Sequence, residues 1–236
     1  MFQNALFLFF QADVTLDGGE ATEATYESQS LLDVIASSGL LGIIIVGILG
    51  FLLLLALYIF FERYATIRQA AKVDQTFMAN IRSYVSAGNI TGARTLCQQT
   101  DMPVARMVEK GLQRIGKPLS DIDAAIENVG NLEIFRLEKG LSTLASISGA
   151  APMIGFFGTV TGMINAFYEM STADNITPDV LAGGIYQALI TTAAGLLIGI
   201  LSFIGYNLLV ARVERAVYLM ERTTTEFMDL LQEPTA

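Results

Sequence analysis

Three long stretches without a charged residue constrain this chain more than any other feature. Residues 34–61, 140–168 and 180–211 contain no Asp, Glu, Lys or Arg. Each stretch is longer than the roughly 20 residues that a helix needs to cross the hydrocarbon core of a bilayer. Only 16% of the whole chain is charged, whereas a typical soluble domain is about 25% charged. The sequence therefore predicts an all-α integral membrane protein with three transmembrane helices, which tilt or continue into water as long extensions.

The basic residues predict how these helices are oriented. Residues 62–139 hold 11 of the 14 Lys and Arg residues and residues 212–236 hold the other three, whereas residues 1–33 and 169–179 hold none. By the positive-inside rule, the N-terminus and the hairpin 169–179 lie outside, and the other two segments are cytoplasmic.

The first 33 residues combine a short apolar run, Ala5 to Phe10, with an acidic stretch. No base precedes the run, which favours an amphipathic segment on the outer surface over a cleaved signal peptide. The residues that follow, rich in Asp, Glu, Thr, Gly and Ser, are typical of a flexible linker. Cleavage of a signal peptide stays the alternative for this segment.

The composition excludes several classes of function. The chain has no His, no Trp and one cysteine, Cys97, so it offers no Ser-His-Asp or Cys-His catalysis, no His-ligated metal and no CxxC site. Its net charge of −9 argues against binding to nucleic acid, which requires a basic face. We expect no enzymatic activity, no cofactor and no metal.

Residues 62–139 are predicted to form about four packed helices. Apolar residues recur there at helical spacing, and glycines and prolines mark the joints. Ser120 and Asp123 resemble a capping box, so a helix is expected to begin near Leu119 and to run unbroken into the second stretch. Charged side chains are interpreted as solvated faces, and Cys97 as a small packed hydrophobic residue.

Small and polar residues distinguish the second and third stretches from the first. The candidate helix-packing residues are Pro152, Gly155, Gly158, Gly162, Gly184, Gly195 and Gly199. The polar candidates are Thr159, Asn165, Gln187, Thr191 and Thr192. On composition alone, packing with hydroxyls bonded to their own helices is the simpler interpretation.

Position favours a second interpretation, in which the polar residues line a pore. Thr159 and Thr192 are expected within about one helical turn of each other in depth, because the two helices are antiparallel. Gln187 and Asn165 would extend this set into a polar stripe on both helices. A proton pathway generally needs a group such as a carboxyl that takes up and releases a proton, and the three uncharged stretches contain no Asp, Glu or His. If this chain conducts protons, the acid must come from another subunit.

Two sequence blocks resemble signatures of the MotA/TolQ/ExbB proton channel family, above all its ExbB branch. The segment APMIGFFGTVTGM at 151–163 is similar to the family's APLLGLLGTVxGM block. The segment GIYQALITTAAGL at 184–196 resembles the GIAEALxTTAxGL block. Both lie in the expected stretches and order, and the likeness covers nearly the whole chain after about residue 30.

The resemblance implies a homopentamer in the bacterial inner membrane whose second and third helices line a central pore. An ExbD-like single-span partner would sit in that pore and supply a membrane Asp. The motor would use the proton motive force to drive a TonB-like protein. Thr159 and Thr192 fall on the family's pore threonines. Gln187 stands where many members have Glu, so the role of that glutamate is not carried over to this chain.

Two alternatives stay open at this point. The first is a TolQ-type role in envelope integrity, which differs from the ExbB role in its partners. The second is a membrane scaffold that conducts no ions, or a membrane enzyme, although the missing His, reactive Cys and intramembrane acid argue against an enzyme. In each case membrane lipids are expected to contact the protein. The absence of a fourth span argues against a MotA-like rotary stator.

Overall fold

The computed structural model describes residues 39–70, 75–172 and 178–232. Within these ranges the chain forms seven α-helices and no strand: α1 Gly39–Ala70, α2 Gln75–Ser86, α3 Ile90–Gln99, α4 Pro103–Leu112, α5 Leu119–Glu138, α6 Leu141–Thr172 and α7 Pro178–Gln232. Three helical regions, Leu41–Ala70, Leu119–Thr172 and Ala182–Gln232, are long and apolar enough to cross a membrane. The prediction of an all-α protein with three such spans is confirmed. The predicted N-terminal segment 1–33 lies outside the described residues.

The three apolar helices pack side by side. α6 and α7 form an antiparallel hairpin with the most extensive contact in the molecule, and α1 packs against both. The buried face of α1 includes Ile45 and Leu49, while Phe51, Leu54 and Tyr58 are largely exposed. Large apolar side chains that face away from the protein suit a helix in contact with lipid.

Helix α7 connects the apolar helices to the four shorter ones. It is 55 residues long, which corresponds to about 80 Å at 1.5 Å per residue. Its buried stripe continues from Leu209 through Met220 to Phe227, and α2, α4 and α5 pack along this part. We call α2–α5 with the α7 residues 209–232 the lower bundle.

The predicted unbroken helix from Leu119 into the second stretch is wrong. A helix does begin at Leu119, but it ends at Glu138, and the next begins at Leu141. Lys139 has an extended ψ of 128°, and Gly140 has a φ of +83°, which an L side chain rarely adopts and glycine adopts readily. The predicted capping box is also absent, since Pro118 is the N-cap and no side chain caps this helix.

A buried carboxylate joins α4 to α5. Glu133 is 3% exposed, and it accepts hydrogen bonds from Arg106 Nε at 3.0 Å and Arg106 Nη2 at 2.7 Å. Arg136 Nη1 donates to the same carboxylate at 2.6 Å. The bonded Glu133 carboxylate raises the pKa of the Arg106 guanidinium above its usual value. Glu133 is thus an exception to the solvated faces that the sequence predicted.

Removing this carboxylate is expected to destabilise the lower bundle. Glu133→Gln should lower the free energy of unfolding by about 2–3 kcal/mol. The loss is smaller than for breaking a fully buried ion pair, because both arginines reach solvent. Chemical denaturation of the detergent-solubilised protein measures this loss. The matched control is Glu226→Gln, which breaks the exposed Arg222–Glu226 pair and should cost less than about 0.5 kcal/mol. Equal losses in the two variants would contradict a special role for Glu133.

Cys97 is expected to be inert in the folded protein. Its side chain is 2% exposed, and burial, helped by the Glu109 carboxylate, raises the pKa of the thiol to about 12. The thiolate is the reactive form, so at pH 8 only about one molecule in ten thousand would carry it. Iodoacetamide labelling followed by mass spectrometry should be slow in buffer and fast in denaturant. Labelling of the folded protein within minutes would disprove this expectation.

Candidate functional site

Glycines bring the backbones of α6 and α7 into direct contact. A Cβ atom on Gly155 would lie 2.8 Å from the carbonyl oxygen of Thr191 and 3.1 Å from Cα of Gly195. A Cβ atom on Gly195 would lie 2.6 Å from the carbonyl oxygen of Ala151 and 2.9 Å from Cα of Gly155. No side chain larger than hydrogen fits at either position without separating the helices. Close approach of this kind is how small residues stabilise helix pairs in membranes.

The other packing candidates extend this contact in both directions along the pair. Gly199 lies against the ring of Pro152, where a Cβ atom would be 2.5 Å from Cγ of the proline. A Cβ atom on Gly158 would meet Oγ1 of Thr191, also at 2.5 Å. Nearer the connection between α6 and α7, a Cβ atom on Gly162 would meet Ala188, and one on Gly184 would meet Ala166. All seven predicted packing residues therefore lie in the α6–α7 contact.

Two adjacent hydroxyls of α7 lie near one carbonyl oxygen of α6, and Thr192 makes the shorter hydrogen bond to it. Thr192 Oγ1 donates to the Gly155 carbonyl oxygen at 3.0 Å. Thr191 Oγ1 lies 3.4 Å from the same oxygen and 2.7 Å from the carbonyl oxygen of Ala188 on its own helix. Thr191 is 4% exposed, whereas Thr192 is partly exposed. The Gly155 carbonyl is a site component that sequence reasoning missed; its signal was a glycine facing two consecutive threonines.

Thr159 lies beside this contact rather than within it. Its hydroxyl donates to the Phe156 carbonyl oxygen at 2.6 Å. It lines a shallow, mostly apolar groove on α6 with Phe156, Val160, Met163, Ile164 and Phe167. The Gly155 carbonyl, which accepts the hydrogen bond from Thr192, belongs to the residue four positions before Thr159 on α6. The Thr159 and Thr192 hydroxyls therefore lie about one helical turn apart along the α6–α7 pair.

Asn165 and Gln187 do not continue the predicted polar stripe. Asn165 is exposed on α6, but it follows Thr159 by six residues and therefore lies about 120° around the helix. Gln187 is half-buried on α7 and precedes Thr192 by five residues, an angular offset of about 140°. Gln187 shares a face with Thr191 instead, which is four residues away. The predicted stripe of Thr159, Asn165, Gln187 and Thr192 therefore covers two faces of each helix rather than one.

The side chains of the site carry hydroxyl and amide groups, and the backbone adds carbonyl oxygens. The stretches 140–168 and 180–211, which carry these residues, contain no Asp, Glu, Lys or Arg. Across the described residues, no group of three or more His, Cys, Asp or Glu side chains is placed to hold a metal ion. The arrangement can bind water or accept a hydrogen bond from a protonated group, but it cannot take up a proton itself.

Comparison with known proteins identifies similar chains. The family model described as the MotA/TolQ/ExbB proton channel family matches residues 99–222. A Methanothermobacter thermautotrophicus protein named as an ExbB homolog is 29% identical, over 81% of this chain and 67% of its own length. The Tol-Pal system protein TolQ of Pseudomonas aeruginosa is also 29% identical, over 72% of this chain and 79% of its own. An ExbB-like protein of Synechocystis is 29% identical, over 82% of this chain and 88% of its own length.

Proposed function

Because the chain belongs to the MotA/TolQ/ExbB proton channel family, we propose that it is the ExbB-like subunit of an inner-membrane motor that couples the proton motive force to TonB-dependent transport. In this proposal five copies surround a central pore lined by α6 and α7. A single-span, ExbD-like partner occupies the pore, and a TonB-like protein receives the work. Residues 1–33 and 169–179 are periplasmic, whereas residues 62–139 and 212–236 are cytoplasmic.

The observation that carries this proposal is the groove around Thr159. It is an apolar surface on α6 that contains one hydroxyl, and the hydroxyl of Thr192 lies about one turn away on the neighbouring helix. An apolar groove with a polar atom suits a helix that carries a single polar side chain. Since the uncharged stretches of the lining helices contain no Asp, Glu or His, the proton carrier would be an Asp on that partner helix.

The polar residues take separate roles in this proposal. Thr159 and Thr192 hydrogen-bond water or the partner's carboxyl group along the proton path. Thr191 is buried against Gly158 of α6, and this packing keeps Thr192 in position. Gln187 and Asn165 orient water, because an amide donates and accepts hydrogen bonds but does not titrate in the working pH range.

The partner decides between the ExbB and TolQ roles. Relatives named ExbB and TolQ are equally similar, at 29% identity, so identity does not separate the two. A TolQ-like subunit of an envelope-integrity motor is the second candidate, and a scaffold that conducts no ions is the third.

Native mass spectrometry of the tagged chain, gently extracted from its own membranes, tests the proposal. We expect five copies of this chain with a single-span partner that carries a membrane Asp. Reconstituted in liposomes, that complex should take up protons, and the chain alone should not. The partner's periplasmic domain then identifies the ExbB or the TolQ branch. A complex without an Asp-bearing partner would overturn the proposal, as would proton uptake by the chain alone.

A further inference from the structure

The lower bundle carries an acidic groove between α5 and α7. Its volume is about 310 Å³, and the carboxylates of Asp123, Glu127 and Glu221 line it. The three ionisable side chains in the lining are therefore all acidic. We call this surface the acidic groove.

The acidic groove also offers apolar contact and a hydrogen-bonding group. Met107, Ile126 and Met220 are buried and form part of its lining. Thr224 lines the groove as well, and its hydroxyl oxygen is buried without a hydrogen-bond partner. A buried hydroxyl left unpaired costs free energy, which marks the wall of the groove at Thr224 as incompletely satisfied within one chain. This combination fits a segment with both basic and apolar side chains.

The same chain carries a surface of the opposite charge. Lys110, Arg114 and Lys117 lie at the end of α4 and in the loop that follows it. Between them, Ile115 is 38% exposed, and Gly116 has a φ of +93°, a conformation suited to glycine that fixes the turn. We call residues 110–117 the basic edge. It presents an exposed isoleucine flanked by cations.

The two surfaces lie at the same level of the lower bundle. α4 and α5 are antiparallel, since Arg106 bonds to Glu133 and a Cβ atom on Gly111 would lie 2.8 Å from Cδ1 of Ile126. Position 111 is therefore level with position 126. This register places the start of the basic edge level with the middle of the acidic groove, as a contact between copies that stand side by side requires.

The charges of both surfaces form no salt bridge with another residue that the structure describes. Among the residues that the structure describes, the salt bridges join Arg63–Glu62, Arg106–Asp101, Arg106–Glu133, Arg136–Glu133 and Arg222–Glu226. None of these pairs includes a charged residue of the acidic groove or of the basic edge. Opposite charges left unpaired on two surfaces at one level suit a contact between molecules.

We infer that the basic edge of one copy docks into the acidic groove of a second copy of this chain. Ile115 contacts the apolar lining, and the basic side chains meet the three carboxylates. The contact joins two different surfaces, and such head-to-tail contacts close into a ring when the rotation permits. The inference rests on the proposed homo-oligomer and assigns the surfaces through which its lower bundles meet.

Reversing the charges tests this docking. Native mass spectrometry of the full chain in mild detergent gives the protein concentration at which half of the oligomer dissociates. Glu127→Lys and Arg114→Glu should each raise that concentration about tenfold or more, because each sets like charges against each other. The double variant Glu127→Lys/Arg114→Glu restores an attractive pair and should return to within about threefold of the unmodified chain. The matched control is Glu138→Lys, on the same helix but outside both the groove lining and the basic edge, which should change the midpoint less than twofold.

Cross-linking supplies an independent readout. Chains that carry Glu127→Cys, co-expressed with differently tagged chains that carry Arg114→Cys, should form a disulfide-linked heterodimer under oxidation. No heterodimer, together with single charge variants that dissociate like the unmodified chain, would overturn the inference. A monomeric unmodified chain would also overturn it. Both results are distinguishable from failure of the proposed function, which is judged by the Asp-bearing partner and proton uptake.

Discussion

Replacing Thr192 with valine is expected to abolish most proton-driven work while the helix hairpin stays assembled. Valine keeps the shape of threonine and removes the hydroxyl, which donates to the Gly155 carbonyl oxygen at 3.0 Å. In the proposed proton path, the Thr192 hydroxyl also hydrogen-bonds water or the partner's carboxyl group. A hydrogen bond to a charged group is worth about 1.5–3 kcal/mol, so proton transfer that loses this bond should slow roughly tenfold to a hundredfold. Proton uptake by liposomes that contain the complex measures the loss. Thr159→Val is expected to act in the same direction.

Stability measurements separate this effect from simple packing. An interhelical hydrogen bond in a membrane is worth about 0.6 kcal/mol on average, so Thr192→Val should shift the free energy of unfolding by less than about 1 kcal/mol. Thr192→Ser restores the hydroxyl and should recover most of the activity. The matched control is Thr161→Val, since the Thr161 hydroxyl bonds within α6 to the Phe157 and Gly158 carbonyls. Normal proton uptake in both Thr192→Val and Thr159→Val would refute the pore assignment.

Adding one methyl group at Gly195 is expected to break the α6–α7 hairpin. In Gly195→Ala the new Cβ atom would lie 2.6 Å from the Ala151 carbonyl oxygen and 2.9 Å from Cα of Gly155. Both are backbone atoms, which cannot rotate away, so the helices must separate. Overpacking of this kind costs about 3 kcal/mol, and the separation would also lengthen the Thr192–Gly155 hydrogen bond. The thermal midpoint of the detergent-solubilised protein should fall by roughly 6–12 °C.

The matched control for this variant is Gly149→Ala on α6. A Cβ atom there would meet no other atom within 4 Å, and alanine favours a helix over glycine by up to about 1 kcal/mol. We therefore expect an unchanged or slightly raised midpoint. If Gly195→Ala and Gly149→Ala melt at the same temperature, the close backbone contact does not stabilise the hairpin.

Local patterns in the sequence predicted the elements but not all of their ends. The start of a helix near Leu119 was predicted from a capping box at Ser120 and Asp123, and the structure has the start there but with Pro118 as the N-cap and no capping side chain. The break at Lys139–Gly140 was missed because an isolated glycine is tolerated within many helices. What fixes the break is the positive φ of Gly140, where Ile59 and Arg63 of α1 lie close to the position of a Cβ atom. That contact joins residues about 80 positions apart, and a local pattern does not encode it.

In the candidate site, too, the sequence indicated some features and missed others. The sequence alone indicated the threonines and the small residues, because both are conspicuous in uncharged stretches. It placed Asn165 and Gln187 on the same stripe because it compared their depths and left out their angles around the helix. It also gave no acceptor for Thr192, since the choice of the Gly155 carbonyl depends on how α6 and α7 align.

The sequence by itself determined that this protein is helical and has three apolar spans, because hydropathy and charge act residue by residue and need no partner. Only the tertiary structure decided which groups meet. Gly155 and Gly195 let the two backbones touch, and this contact sets the alignment that brings Thr192 to its carbonyl. Likewise, Glu133 reads as an ordinary surface charge until the packing of α4 on α5 buries it between Arg106 and Arg136. Burial and pairing arise from the packing of distant segments, and composition does not specify them.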